Sequence, residues 1–431
     1  MKPRNFVASR SRVPWLTTMP GRSVVLALAL SAQAPAQRIW TVDFLQRPGA
    51  DHQDIPAAVA AAASGDIIRL RGTTTSLLDS YLAPSIVGKS LTIVGDGSVP
   101  RPIVTGPWDI QGLTAGQSVV IMGIELSGNA HPYNLPPQSR PLRIVCTGNA
   151  GSIVLDDLVY TPWQVETALI HGITGTRFID CNMVVVRNST IDTGGGPWTA
   201  IRSTLMVDGC DMRSIMGMSG YAPGTLFSDA SRLHIANSTI LGSSYQDATL
   251  WFGSAAILTC GSEVFTSGNT LLQGGVPLGL PRESAVFEGC NRGGVFPPVI
   301  SNCHFDPTTS LVGGVPVNSL LAYDFSRQTG LSATLSPSTL LVDHFVGASS
   351  LGVLAMGDVQ STPWTYLVGP VFVDPVTAAT FFSAAPSSGP LHRAFAVPPG
   401  LPLGTSACLQ AFELLPSASV LTSNATVVVV R

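Results

Sequence analysis

Short runs of β-prone residues recur along the chain, each ending on glycine, asparagine or aspartate. The clearest are VVVRNSTIDTGGG (184–196) and LHIANSTILGSS (233–244), where Asn188 and Asn237 open the same string, Asn-Ser-Thr-Ile, 49 residues apart. Aligned on those asparagines, further runs fall into register. They are IIRLRG on Gly72, LTIVG on Gly95, VVIMG on Gly123, IVLDD on Asp157, LMVDG on Gly209, VFTSG on Gly268 and PVISN on Asn302. Gly, Asn and Asp are the residue types that tolerate a left-handed backbone. Three residues beyond this column an apolar residue returns, at Leu126, Tyr160, Ile191, Met212, Ile240, Leu271 and Phe305. Each unit therefore reads as strand, one-residue bend, strand, and amides stacked at the bend would form a ladder.

A second column lies upstream. RIVC ends at Cys146, LIH at His171, AIR at Arg202, LFS at Ser228, ILT at Thr259 and VFE at Glu288. Three short strands per coil with unequal turns account for bend-to-bend intervals of 21 to 34 residues, a period that marks a solenoid. Parallel strands stacking at about 4.8 Å per coil give roughly 40 Å of it. Ahead of the first coil stands DIPAAVAAAASGDIIRLRG (54–72). Asp54 can cap a helix that Ala57 to Ala63 favour and Gly65 stops, and such a helix would cover the apolar end of the stack.

On the bend column, the three-strand coil and this entry segment, residues 39 to about 325 resemble the right-handed parallel β-helix of the pectin-lyase-like superfamily. The resemblance implies an all-β fold and an outer cleft along one parallel sheet, where polysaccharide is gripped by residues from successive coils. The matching region here is the upstream column, which offers His171, Arg202, Asp229 and Glu288 as candidate catalytic residues. A lyase of that kind needs a base and either calcium or arginine to neutralise the substrate carboxylate, whereas a hydrolase needs two carboxylates at a set separation. The superfamily's catalytic motifs are not matched: only Asp156-Asp157 appears, and no cluster of calcium-binding aspartates is seen. The expectation is therefore a β-helix that binds extracellular or cell-surface carbohydrate without catalysis. A polysaccharide lyase or glycoside hydrolase acting on acidic polysaccharide is the alternative.

Beyond about residue 328 the pattern gives way to apolar runs separated by Gly, Pro and Ser: TLLVDHF, LGVLAM, TYLVGPVFV, HRAFAVP, ACLQAFEL and ATVVVV. That spacing predicts a small β-sandwich. Its last thirty residues resemble C-terminal modules of secreted bacterial proteins, and capping of the last coil is the simplest role for it. At the other end, Lys2, Arg4, Arg10, Arg12 and Arg22 precede the apolar stretch 23–32, and Ala34-Pro-Ala36 fits a cleavage site. That pattern is an export signal, with an apolar core too short to span a bilayer. The expected division is signal peptide 1–36, β-helix 37–328 and β-sandwich 329–431, in a secreted or cell-surface protein with no membrane span in the mature chain.

Charge sharpens this picture. Only 11% of the 431 residues are charged, the formal net charge is -3, and no basic run occurs, which excludes a nucleic-acid footprint. Seven cysteines include no CxxC pair, so most are expected as small buried residues, with Cys290 and Cys303 the nearest candidates for a disulfide. Asn188, Asn237 and Asn424 match the N-glycosylation acceptor pattern, yet the first two sit where the solenoid must bend. Asp156, Arg187 and Asp208 share one column on consecutive coils, which reads as a surface ion-pair ladder. Trp108, Trp163 and Trp198 each follow proline. Packing against the solenoid flank is the expectation for them, ahead of a sugar-stacking platform.

Overall fold

The computed structural model describes residues 37–430 apart from 74–78, 128–142, 162–175, 194–196, 215–223, 243, 247–250, 254, 277–281, 283, 289–300, 306–308, 314–330, 337, 347–350, 368, 375, 385–388, 400, 402–403 and 416–419. The expected export signal, 1–36, lies outside these residues.

Three parallel sheets enclose one apolar core. The first contains Ser85–Val87, Pro107–Gln111, Trp198–Ile201, Leu226–Asp229, Ile257–Cys260 and Val286–Glu288. The second contains Ile39–Val42, Ile67–Leu70, Leu91–Gly95, Ser118–Met122, Thr204–Asp208, Arg232–Ala236, Glu263–Ser267 and Asn302–Phe305. Two long strands, Arg143–Asp156 and Arg177–Arg187, belong to both, pairing in the first sheet with their early residues and in the second with their late ones. Nine strands from Tyr81–Leu82 to Ser310–Val312 make the third sheet. The chain visits the sheets in turn and returns one coil further on. This is a parallel β-helix with the right-handed sense that parallel crossovers take.

The bend column explains the repeated tetrapeptide. Gly123, Asp157, Asn188, Gly209, Asn237 and Gly268 all have φ between 48° and 65° and turn the chain from the second sheet into the third. Asn188 and Asn237 supply the left-handed residue, and each donates Nδ2 to a carboxylate oxygen of the coil before, Asp156 Oδ1 and Asp208 Oδ1, both at 3.0 Å. The serine that follows faces inward. Ser189 Oγ accepts the Leu158 amide at 3.1 Å, and Ser238 Oγ the Cys210 amide at 3.0 Å. Threonine then starts the third-sheet strand, and Ile191 and Ile240 fill the core, both fully buried. No amide ladder forms at these asparagines, because Gly209 separates them in the stack and Gly268 follows Asn237. A Cβ on Gly268 would lie 2.2 Å from Asn237 Oδ1.

Register corrects the ends of the column. Gly72 and Gly95 are not left-handed, and Gly95 stays in its strand beside Leu70. Asn302 opens its strand opposite Glu263, five residues short of the Gly268 level, which displaces Phe305 as well. After Gly268 the core position falls to Leu272, not Leu271, because that bend is one residue longer.

The entry helix is Ile55–Ala61. The Asp54 carboxylate accepts the Ala57 amide at 2.7 Å, and Ile55, Ala58, Val59 and Ala62 pack into the solenoid core. Lys89 Nζ closes its other end by donating to the Val59 and Ala62 carbonyls, both at 3.0 Å. Lysine there satisfies carbonyls that the helix leaves open.

From Leu331 onward the strands are antiparallel. Leu331–Leu335, Thr339–Val346 and Gly389–Ala396 form one sheet; Leu351–Gly357, Ala379–Ala384, Ser406–Leu414 and Val420–Val429 form another. This small sandwich lies along the flank of the solenoid, where the end of the stack was expected. Ala355, Val373, Cys408, Ala425, Val427 and Val429 share one apolar cluster with Ile67, Val94, Val120, Met122, Val154, Met183, Val185 and Met206, all outward positions of the second sheet. At Gly404 the chain comes so near the second sheet that a Cβ would lie 2.4 Å from Thr92.

Candidate functional site

Where the second sheet is covered, much of the outer face of the first carries exposed or half-buried side chains, although Leu258 and Cys260 on that face are buried, at 4% and 5% exposure. The outward rows run through Asp109, Val145, Arg177, Thr199, Phe227, Leu258 and Phe287, and through Val87, Gln111, Thr147, Ile179, Ile201, Asp229 and Cys260. Phe287 is 41% exposed, and Arg177, Ile179, Ile201, Phe227 and Asp229 are half-buried. A second bend follows these rows. Gly88, Gly112, Gly148, Asp180, Arg202, Ala230 and Gly261 all have φ between 46° and 69°. Behind it Ser203, Ser231 and Ser262 stand one above another inside the core. Their hydroxyls accept the amides of Cys181, Ser203 and Ser231 at 3.0, 3.0 and 3.1 Å. Each hydroxyl thus satisfies a buried amide that the turn would otherwise orphan.

Connections differ sharply around the coil. Bends between the second and third sheets are two residues long in five successive coils, from Gly123-Ile124 to Asn237-Ser238. The connections from third to first sheet vary widely, from the single residue Gly106 between Thr105 and Pro107 to the 15 residues between Thr161 and Arg177, and the longest follow Ser127, Thr161 and Leu241. All emerge at the same edge of the open face, and loops on a rigid scaffold are where binding residues concentrate.

Arg202 lies at the left-handed bend of this face. Its Nε and Nη2 donate to Asp180 Oδ1 and Oδ2 at 2.6 and 2.7 Å, across one coil. Both side chains are largely exposed, and the guanidinium holds the Asp180 carboxyl below the usual carboxylate range. Asp229 sits in the outward row beside Ile201, and its carbonyl accepts the Arg202 amide at 2.9 Å. Glu288 pairs with Thr259, in a row whose earlier members, Cys146, Phe178, Ala200, Ser228 and Thr259, are all fully buried. The upstream column is therefore two rows. Arg202 lies two residues beyond the buried row, beside Ala230, and Phe178 holds the place assigned to the coil of His171. His171 falls in the connection before Arg177, outside the described residues. The structure thus brings Arg202, Asp180 and Asp229 together and sets Glu288 in a different row.

Asp156, Arg187 and Asp208 do share a column, but they are buried beneath the antiparallel module, at 1%, 7% and 7% exposure. Arg187 Nε lies 3.5 Å from Asp156 Oδ1, and Thr426 Oγ1 donates to Asp208 Oδ2 at 2.5 Å. The surface-ladder expectation fails because residues more than 200 positions away cover this column. Trp108 and Trp198 are fully buried and belong to one inward row, the first beside Ile144 and the second beside Leu226. Trp198 packs edge-on to Tyr160 and Phe178 at 5.5 and 5.7 Å between ring centroids. Neither is available to a sugar, and Trp163 lies outside the described residues.

Cys146, Cys181, Cys210, Cys303 and Cys408 are buried thiols, so Cys303 does not pair with Cys290. Cys260 is disulfide-bonded, and Cys290 lies outside the described residues. Among the described residues no group of three or more His, Cys, Asp or Glu side chains is placed to hold a metal ion, and no helix is long and apolar enough to cross a membrane.

No protein-family profile matches the chain, and no curated protein matches it in sequence. Among solved structures it is similar to a tailspike protein, gp49, from Acinetobacter baumannii bacteriophage Fri1, described as a capsular polysaccharide depolymerase. Identity is 9%, the match covers 91% of this chain and 86% of that one, and the TM-score is 0.25.

Proposed function

We propose that this chain is a secreted β-helix protein that binds extracellular or cell-surface carbohydrate along the outer face of its first sheet, without catalysis. One observation carries the reading. Of the two long parallel sheets, one has its outer face sealed by the antiparallel module, and the other presents a row of apolar and polar side chains at the surface. The Arg202–Asp180 pair and Asp229 give that surface hydrogen-bonding groups beside Ile201 and Phe227. The disulfide at Cys260 fits an oxidising compartment, in keeping with export. Membership of the pectin-lyase-like superfamily belongs to the same proposal.

The test is one incubation series with protein from Gln37 onward. Neutral, pectic, alginate and sulfated polysaccharides are presented with and without calcium, and both pelleted complex and released oligosaccharide are followed. Saturable binding without product supports the proposal. Unsaturated ends would replace it with a lyase and direct attention to Arg202 and His171; new reducing ends alone would replace it with a hydrolase. Absence of both binding and product would reject carbohydrate as the ligand.

A further inference from the structure

Building on the carbohydrate reading, we infer that the outer face of the first sheet takes a neutral glycan chain, through an aromatic platform around Phe227 and Phe287. Both phenylalanines stand in the same outward row, Phe227 half-buried and Phe287 exposed, on either side of Leu258, which is buried. Each is the second residue of its strand, so both lie at the edge where the long connections enter. At coil spacing they are about 10 Å apart along the solenoid axis. The connection that enters between them contains an antiparallel hairpin, Ser244–Gln246 with Trp251–Gly253, in which Tyr245 lies opposite Phe252 and Gln246 opposite Trp251. Only residues 254–256 separate this hairpin from Ile257–Cys260, the strand that carries Leu258. Tyr245, Trp251 and Phe252 thus belong to the connection that enters at this edge, in a chain whose aromatic content is 7%.

Charge decides between glycan classes. On the coils from Arg177 to Cys260 the outward and bend positions carry Arg177, Asp180, Arg202 and Asp229, whose formal charges cancel. Arg202 is already engaged at both nitrogens by Asp180. Among the described outward and bend residues of these coils a polyanion would meet no net positive charge, whereas sugar rings without charge present apolar faces to aromatic rings and hydroxyls to the polar rim.

Affinity electrophoresis tests this in gels containing a neutral β-glucan, a neutral xylan, alginate or pectate, each run at 0.1 and 1 M salt, where charge-based binding is screened. The proteins are wild type, Phe287→Ala, Trp251→Ala and Arg202→Ala, with thermal midpoints recorded for each. Retardation by a neutral glycan is expected, insensitive to salt, and weakened by about tenfold, the equivalent of 1.4 kcal/mol, in Phe287→Ala at an unchanged midpoint. Retardation by alginate or pectate alone, falling with salt and lost in Arg202→Ala but retained in Phe287→Ala, would overturn the neutral platform and leave carbohydrate binding intact. No retardation in any gel would overturn both. Should Trp251→Ala fail to fold, Phe287→Ala decides the matter, because its side chain is at the surface.

Discussion

Replacing Thr426 by valine should loosen the antiparallel module from the solenoid without changing its shape. Thr426 Oγ1 donates to Asp208 Oδ2 at 2.5 Å, joining residues 218 positions apart, while Asn237 Nδ2 holds the other oxygen at 3.0 Å. Burial pushes the Asp208 carboxyl up; the Thr426 hydrogen bond, the Arg187 charge and the Asn237 amide pull it back without fully offsetting burial. Valine keeps the volume and removes the donor, leaving a carboxylate oxygen unsatisfied in a buried site. A hydrogen bond to a charged group is worth about 1.5–3 kcal/mol, and that loss is expected at pH 7. The sign of the pH dependence follows from the raised value. The stability this carboxyl contributes is fully present below its unfolded value, 3.8, and is lost as pH rises through the folded value. Thr426 favours the charged form, so the variant raises the folded value further, and its penalty grows with pH. Urea unfolding followed by tryptophan fluorescence at pH 4 and pH 7 measures both effects, and Thr426→Ser should recover most of the loss. A penalty below about 0.3 kcal/mol, or one equal at the two pH values, would show that this contact does not hold the module.

Three further outcomes follow from the bends. Gly268→Ala places a Cβ 2.2 Å from Asn237 Oδ1 at φ 60°, and should lower stability by at least the 1–2 kcal/mol that a left-handed L-residue costs; an unchanged melting midpoint would contradict the stacking geometry. Ser231→Ala orphans the buried Ser203 amide and should cost about 1–3 kcal/mol in denaturant unfolding, whereas Ser231→Thr, which keeps the hydroxyl, should cost less. Arg202→Gly relieves a left-handed arginine at φ 47° and loses only an exposed, salt-screened pair, so its melting midpoint in 0.5 M salt should rise; a fall there would mean that the Arg202–Asp180 pair is structural.

Much of the candidate site was hidden in the sequence by ambiguity of register. Arg202 and Glu288 end similar apolar runs and look equivalent, yet Arg202 is the bend residue and Glu288 lies in the row of Ser228 and Thr259. Small polar residues inside the coil erase the alternation that would reveal which way a strand faces: Ser228 and Thr259 are fully buried, whereas the apolar Phe287 is 41% exposed. The serine ladder behind the bend carried a readable signal, since Ser203, Ser231 and Ser262 each follow a left-handed residue by one position.

The coil is written locally in the chain. A bend that demands a left-handed residue admits few residue types, and a core position in a period-two strand demands an apolar one; both are local requirements, met within a few residues of each other at Asn188 and Ile191. The Asp54 cap and the antiparallel strands beyond residue 328 were legible for the same reason. Tertiary structure alone decided which face of the solenoid is a surface. Outward rows of the second sheet, such as Val120, Val154, Val185 and Met206, are sealed by Ala425 and Val427 from the far end of the chain. That contact also turned Asp156, Arg187 and Asp208 from an apparent surface ladder into a buried cluster, and left exposed side chains such as Val87 and Phe287 to the outer face of the first sheet. Burial of an outward residue depends on what docks over it, and no property of its own strand encodes the partner.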